Sequence, residues 1–371
     1  MIEFWQTNVP TNLIPVETAK AVEADGWDGQ WFMDSQSLGA EPYVAMGAWA
    51  AVTERIKLGT GVTNVLTRHP TVTAAAASTL QAISGARAVL GIGRGDSSLA
   101  YLGYAPVRLP AFHRVVQDLQ TLLSGGEVAF NTAADGDAPS LDSLSLGDRP
   151  TASRLQWLPE GIAKVPIDVA AAGPKLIEMA APIVARLTFS VGAMPERVRW
   201  ALDLARAARR AQGLSDDGIS YGVHIVLLCH SDPAAITEEA LNLVTGLGRF
   251  QVMLGHAAGP KSNVDQSSFE VLRTGYDMTR HVNRSGAEGK LVGESISQDF
   301  IDRFGIVGTP DHCTRRLLEL IDCGIDRFIL VGPGLHPEAA APGRTLVASE
   351  VIPAVRQALK DRQRVEAPER A

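Results

Sequence analysis

"TRHPTVTAAAASTLQAISGARAVLGIGRGDSS", Thr67 to Ser98, contains one complete passage from helix to strand. Pro70 stands where the first turn of a helix tolerates a missing N–H, and Gly85 stands where a helix must stop. Between them the alanine-rich run predicts a helix from about Pro70 to Ser84. "RAVLGIG" then predicts a strand that is apolar at nearly every position, as a parallel strand covered on both faces must be. It ends with Gly91, Gly93 and Gly95 on alternate positions, and Asp96, Ser97 and Ser98 follow at once.

Outward from this stretch the same alternation repeats. Strand-like runs open at Ile2 ("IEFWQT"), Trp27 ("WDGQWFMDS"), Ile56 ("IKLGTGVTNV"), Val165 ("VPIDVAAAG"), Arg186 ("RLTFSVG"), Ile219 ("ISYGVHIVLLCHS") and Ile325 ("IDRFILVG"). Helical runs separate them, among them Pro42 to Glu54, Phe112 to Ser124, "PKLIEMAAPIVA" from Pro174, and Pro195 to Gln212. Eight strands, each followed by helical material, predict an α/β fold of the (β/α)₈ TIM-barrel class. We read residues 1–362 as one such domain with insertions at about 125–161 and 246–297, and 363–371 as a frayed tail. Insertions that follow strands lie over the active face and shape its pocket.

Composition narrows the function. The 371 residues are 46% apolar and 20% charged, with a net charge of −7 and no basic stripe, which argues against nucleic acid as a partner. Cys229, Cys313 and Cys323 lack CxxC spacing, so neither a disulfide framework nor a zinc site is expected. The chain opens on a strand without a charged leader, and no apolar run reaches membrane-spanning length, so a cytoplasmic protein is expected. No His-x-His pair or acidic cluster marks the strand ends, and no metal is expected.

Four strands end in small or polar residues that let a ligand approach the backbone: Gly59 to Asn64, Gly91 to Ser98, Ala170 to Lys175, and Ser190 to Glu196. In a parallel barrel the chemistry gathers at these ends. "AAAGPK" leads straight into a helix, where backbone N–H groups and Lys175 suit a phosphate, and "VGAMPE" repeats the device on the next strand. "GIGRGD" is GxGxG, not the dinucleotide fingerprint GxGxxG, which disfavours a Rossmann reading.

On "DSQSL" with "EPYV" (Asp34 to Val44), "LGTGVTNVLTRHPTVTAAAASTL" (from Leu58), "ISGARAVLGIGRGDSS" (from Ile83), "AAGPKLIEMAAPIVA" and "VGAMPERVRWALDLAR", the chain resembles the luciferase-like flavin monooxygenase superfamily. It is most similar to the branch that contains coenzyme F420-dependent methylenetetrahydromethanopterin reductase. The resemblance implies a homodimer packed through early barrel helices, with a flavin or 5-deazaflavin at the strand C-termini. It implies cofactor contacts from Thr60, Gly61, Val62 and Thr63, from Gly93, Arg94, Gly95, Asp96 and Ser97, and a phosphate seat at Gly173, Pro174, Lys175, Gly192 and Ala193. A non-prolyl cis peptide, Gly61–Val62, is implied behind the central ring. On this view Gly91, Gly93 and Gly95 let the fourth strand end lie under the cofactor.

Catalytic side chains are fainter, because hydride transfer needs positioning and a dry site more than an acid. Period-two alternation in "SYGVHIVLLCHSD" puts His224 deep on the inward face and His230 near its top. His230 is a candidate proton donor, or else a cap on the following turn. Asp34 and Asn8 are further candidates, at the ends of strands two and one. Asp34, Ser35 and Gln36 stand where some branches carry a catalytic His, which disfavours glucose 6-phosphate as substrate. Gln6 to Asn8 lacks the acidic residue expected of a methylenetetrahydromethanopterin reductase. The expected function is F420-dependent hydride transfer to or from a small organic substrate. The alternatives are an FMN-dependent monooxygenase served by a flavin reductase, and a flavin-binding protein without turnover.

Overall fold

A parallel sheet removes its free edges by closing on itself, and the sheet of this protein does so. The computed structural model describes residues 2–8, 16–130, 139, 141–280, 295–333 and 345–366. Its barrel strands are β1 (Glu3–Asn8), β2 (Gly29–Phe32), β3 (Lys57–Thr60), β4 (Ala88–Gly93), β5 (Ile167–Ala171), β6 (Arg186–Phe189), β7 (Ser220–Cys229) and β8 (Arg327–Val331). Every neighbouring pair is parallel, and β8 closes the ring by pairing with both β7 and β1. All eight lie where the apolar runs place them. The third run is divided: β3 stops at Thr60, the cis peptide Gly61–Val62 follows, and Thr63–Asn64 resumes the pairing against Ile92 and Gly93.

The helix Pro70–Ile83 shows how local sequence sets these elements. His69 caps it by accepting the Thr71 N–H at Nδ1, Pro70 occupies its first turn, and Gly85 follows its end at φ +65°. Ala74, Ala77 and Leu80 face inward, at the spacing a helix needs to bury one side against a barrel.

Alternate strand residues point into the barrel. At its N-terminal end, charges occupy the lumen: Arg327, fully buried, meets Asp168 at 3.1 Å and Thr188 at 2.9 Å, and Arg186 meets Glu3 at 2.7 Å. Trp5, Trp31, Val89 and Ile329 form an apolar layer above them. Several glycines serve that layer. A Cβ added at Gly29 would lie 2.1 Å from the Trp5 ring, and one at Gly61 would lie 2.6 Å from Trp31 Cβ. Gly59 likewise faces both tryptophans, so it makes room for packing, not for a ligand.

The two insertions behave differently. The described part of the first insertion, 125–130, 139 and 141–161, follows a helix, Leu109–Leu123, whose end lies away from the strand C-termini; residues 131–138 and 140 lie outside the described residues. The short antiparallel pair in the described part, Val128–Ala129 with Ala152–Ser153, contributes nothing to the cleft described below. The second insertion follows β7 and is larger than expected. Helices Thr237–Gly248, Asn263–Gly275 and Gln298–Phe304 enclose a separate apolar cluster, seated on Val226, Leu228 and Val331 of the barrel. Three residues, Ile306–Gly308, then pair with the upper half of β7. Residues 281–294 of the expected insertion lie outside the described residues. The final helix, Ile352–Glu366, continues into the segment expected to fray, and 367–371 lie outside the described residues.

Candidate active site

A cleft of about 560 Å³ opens at the C-terminal ends of the strands. Its walls come from Thr7, Met33 to Ser35, Gly61 and Val62, Gly93 to Ser98, Ala170 to Leu176, Ser190 and His224 of the barrel. The second insertion supplies the facing wall, through Leu243, Leu247, Phe250, Met253 and Leu254.

Asp34 is 2% exposed and every hydrogen bond made to it uses it as an acceptor. Thr63 Oγ1 donates to it at 2.6 Å, Gln36 donates to it, and Arg68 forms an ion pair with it. The same guanidinium reaches Glu41 at 2.5 Å and lies over the Tyr43 ring. Burial, reinforced by the Asp34 charge, pushes the Tyr43 phenol above its ordinary range. So occupied, Asp34 fixes one corner of the wall. Asp96 has the same role at another corner, pairing with Arg249 of the insertion at 2.5 Å, while that guanidinium lies 4.3 Å from the Phe250 ring centre.

The three alternate glycines divide. Gly93 and Gly95 line the cleft, and Gly95 takes φ +80° in the turn that presents Asp96. Gly91 does not. A Cβ there would lie 1.9 Å from the Thr60 carbonyl oxygen, and Thr60 Oγ1 donates to the Gly91 carbonyl at 2.6 Å. Close strand packing is therefore its reason.

Of the residues expected to touch a cofactor, Gly61, Val62, Gly93, Arg94, Gly95, Asp96, Ser97, Gly173, Pro174 and Lys175 meet at the cleft. Thr60 and Thr63 do not, because their hydroxyls are turned to Gly91 and Asp34. Gly192 and Ala193 do not either. The Phe304 ring lies against Gly192, and the Ala193 N–H already donates to the Phe304 carbonyl at 2.8 Å. By contrast, nothing lies within 4 Å of a Cβ added at Gly173.

His230 is also away from the wall. Its Nδ1 accepts the Asp232 N–H at 3.0 Å, so it caps the turn after β7, and Asp232 in turn caps Ala234. The side chain of Asn8 lies outside the described residues. Two histidines line the cleft among the described residues, the exposed His256 of the insertion and, on β7, His224. Its Nδ1 lies 3.4 Å from Ser190 Oγ and its ring centre 5.5 Å from that of Trp31. Burial, aided by the Arg249 charge, brings its pKa down to about 4, so the ring is neutral at neutral pH. Strand alternation had already turned it inward.

The family profile described as luciferase-like monooxygenase matches residues 15–327. A 5,10-methylenetetrahydromethanopterin reductase from Methanolobus tindarius is 26% identical over 340 residues, which cover 90% of this chain and 94% of that protein. An F420-dependent glucose-6-phosphate dehydrogenase from Beutenbergia cavernae is 34% identical over 145 residues, 36% of this chain and 38% of that protein. The solved coenzyme F420-dependent tetrahydromethanopterin reductase of Methanopyrus kandleri shares the fold, with a TM-score of 0.72 at 23% identity across 95% of this chain and 99% of that one. With the barrel closed as described and the profile spanning most of its length, the chain belongs to the luciferase-like monooxygenase family.

Proposed function

We propose that this protein is an F420-dependent oxidoreductase that transfers hydride between reduced deazaflavin and a small organic substrate. One observation carries the reading: the loops Gly61–Val62, Gly93 to Ser97 and Ala171 to Lys175 converge on a single cleft at the strand C-termini. A volume of this order suits a ligand site. Relatives named as F420-dependent or as methylenetetrahydromethanopterin reductases support the choice of cofactor.

The residues fit such a group. Gly173 leaves open space beside its backbone, and the Lys175 ammonium supplies charge for a phosphate. Gly61, Val62, Gly93, Arg94, Gly95, Asp96 and Ser97 would border the ring. A bound deazaflavin would supply the hydride carrier, and the proton that balances the transfer on the substrate heteroatom would be exchanged with solvent. This chain orients the reactants, and the layer of Trp5, Trp31 and Ile329 keeps water from beneath them. Gln6, Thr7 and Asn8 carry no acid and Asp34 to Gln36 no histidine, so the substrates named for the relatives are not carried over.

The protein would act in the cytoplasm as a homodimer. Val44 (74% exposed), Val72 (54%) and Ile83 (58%) on adjacent early helices support a second copy as the partner there. Titrating the purified protein with F420 and with FMN, followed by fluorescence, tests the cofactor. Tight FMN binding without F420 affinity would replace this reading with reduced-flavin and O₂ chemistry.

A further inference from the structure

The polar atoms around the cleft fall into two sets. Among the charged ones, Arg249 pairs with Asp96 and Asp34 with Arg68, while Arg94, which donates to the Val107 carbonyl, and Lys175 border the space assigned to the cofactor. The atoms left over on neutral side chains are Thr7 Oγ1, Trp31 Nε1 and His224 Nε2, none of which has a hydrogen-bond partner. A shielded nitrogen or hydroxyl without a partner is costly, and a ligand oxygen offsets that cost.

His224 also marks a boundary. On the same face of β7 the next residues, Val226 and Leu228, belong to the apolar cluster of the insertion. Above the histidine the wall continues through Leu243, Leu247, Phe250, Met253 and Leu254, and Leu254 is 68% exposed at the mouth. A ligand reaching the floor therefore passes an apolar wall and finds neutral hydrogen-bonding groups at its end.

We infer that the substrate is an uncharged, largely apolar carbonyl compound or the corresponding alcohol, with its oxygen hydrogen-bonded to His224 Nε2 and its carbon skeleton packed on the inserted wall. The inference rests on the hydride-transfer reading and names the substrate class for that site. Arg249, Asp96 and Ser190 are the charged and polar groups around the imidazole. Burial first, then the Arg249 charge, keeps the ring neutral, so it can donate a hydrogen bond without adding charge to the floor. A carboxylated substrate would bring a charge to a floor whose cation, Arg249, is already paired with Asp96. Arg94 and Lys175, which also line the cleft, are assigned to the cofactor.

The test uses the full-length protein and three probes: acetophenone, 4-acetylbenzoate, and α-methylstyrene, which replaces the carbonyl oxygen with a methylene group. Binding is read by saturation-transfer NMR, and F420 affinity is titrated separately by fluorescence. Acetophenone is expected to bind at least about tenfold more tightly than 4-acetylbenzoate. His224→Leu is expected to weaken acetophenone roughly tenfold and to leave α-methylstyrene unchanged, with His224→Gln recovering most of the loss. Equal affinity for the two ketones, or equal weakening of ketone and hydrocarbon by His224→Leu, would overturn the inference. An intact ketone pattern without F420 affinity would support this substrate class and overturn the cofactor reading alone.

Discussion

Gly91 lies inside β4 and Gly173 just beyond the end of β5, and their alanine variants should behave in opposite ways. At Gly91 the new Cβ falls 1.9 Å from the Thr60 carbonyl oxygen, so strand backbone must retreat by more than an ångström. Overpacking of this kind costs about 1–3 kcal/mol. Loss of the 2.6 Å bond from Thr60 Oγ1 leaves a buried carbonyl without its partner. That adds about 1–3 kcal/mol, for a total on the order of 4 kcal/mol. At roughly 2 °C per kcal/mol for a chain of this size, Gly91→Ala should melt about 8 °C below the parent. Gly173 has φ −121° and ψ 155°, which alanine adopts readily, and open space around its Cβ. Gly173→Ala should therefore melt within about 2 °C of the parent, because reduced freedom of the unfolded chain contributes slightly in its favour. Its methyl group enters the proposed phosphate seat, so F420 affinity should fall while stability holds. Circular-dichroism melting and fluorescence titration measure the two effects. If Gly91→Ala melts with the parent, or if Gly173→Ala loses as much stability as Gly91→Ala, the division into packing and ligand-facing glycines is wrong.

Three further outcomes are expected. Burial alone would raise the Glu3 carboxyl, but Arg186 and Lys57 hold it at about 2. The associated stability, about 3 kcal/mol, is present above the usual carboxylate range and lost as pH falls from about 4.5 toward 2, and Glu3→Gln should remove that part of the acid sensitivity in denaturant titrations. His224 has the opposite chemistry with the same sign: the folded state resists a proton that the unfolded chain takes up below about 6.5, so stability should drop by about 2 kcal/mol between neutral pH and about pH 5. His224→Gln should flatten that segment of the profile, and an unchanged slope would show the imidazole to be ordinary. Finally, Val44→Glu with Val72→Glu should convert a dimer to a monomer in sedimentation without altering the circular-dichroism spectrum; a parent that sediments as a monomer would remove the proposed interface.

The barrel was legible because each strand is apolar on both faces, a pattern that parallel strands under helices require and that needs only local sequence. The glycines were less so. A sequence shows that a side chain is missing at Gly29, Gly59, Gly61 and Gly91 but not what fills the space. In each case the filler is a distant group, namely Trp5, Trp31 or the Thr60 carbonyl. Gly192 misled in the same way, since Phe304 reaches it from the far end of an insertion whose packing no local pattern announces. The histidines give the sharper lesson. Alternation turned both His224 and His230 inward, and it held only as far as the barrel ladder continued. At the top of β7, Ile306–Gly308 joins as an extra partner, and the His230 N–H donates to the Gly308 carbonyl at 3.0 Å. That bond carries the chain out of the lumen into the Asp232 turn, so the upper histidine caps a loop and the lower one faces the cleft. Placing a catalytic residue on this strand thus depends on a three-residue pairing, too short to show any period of its own.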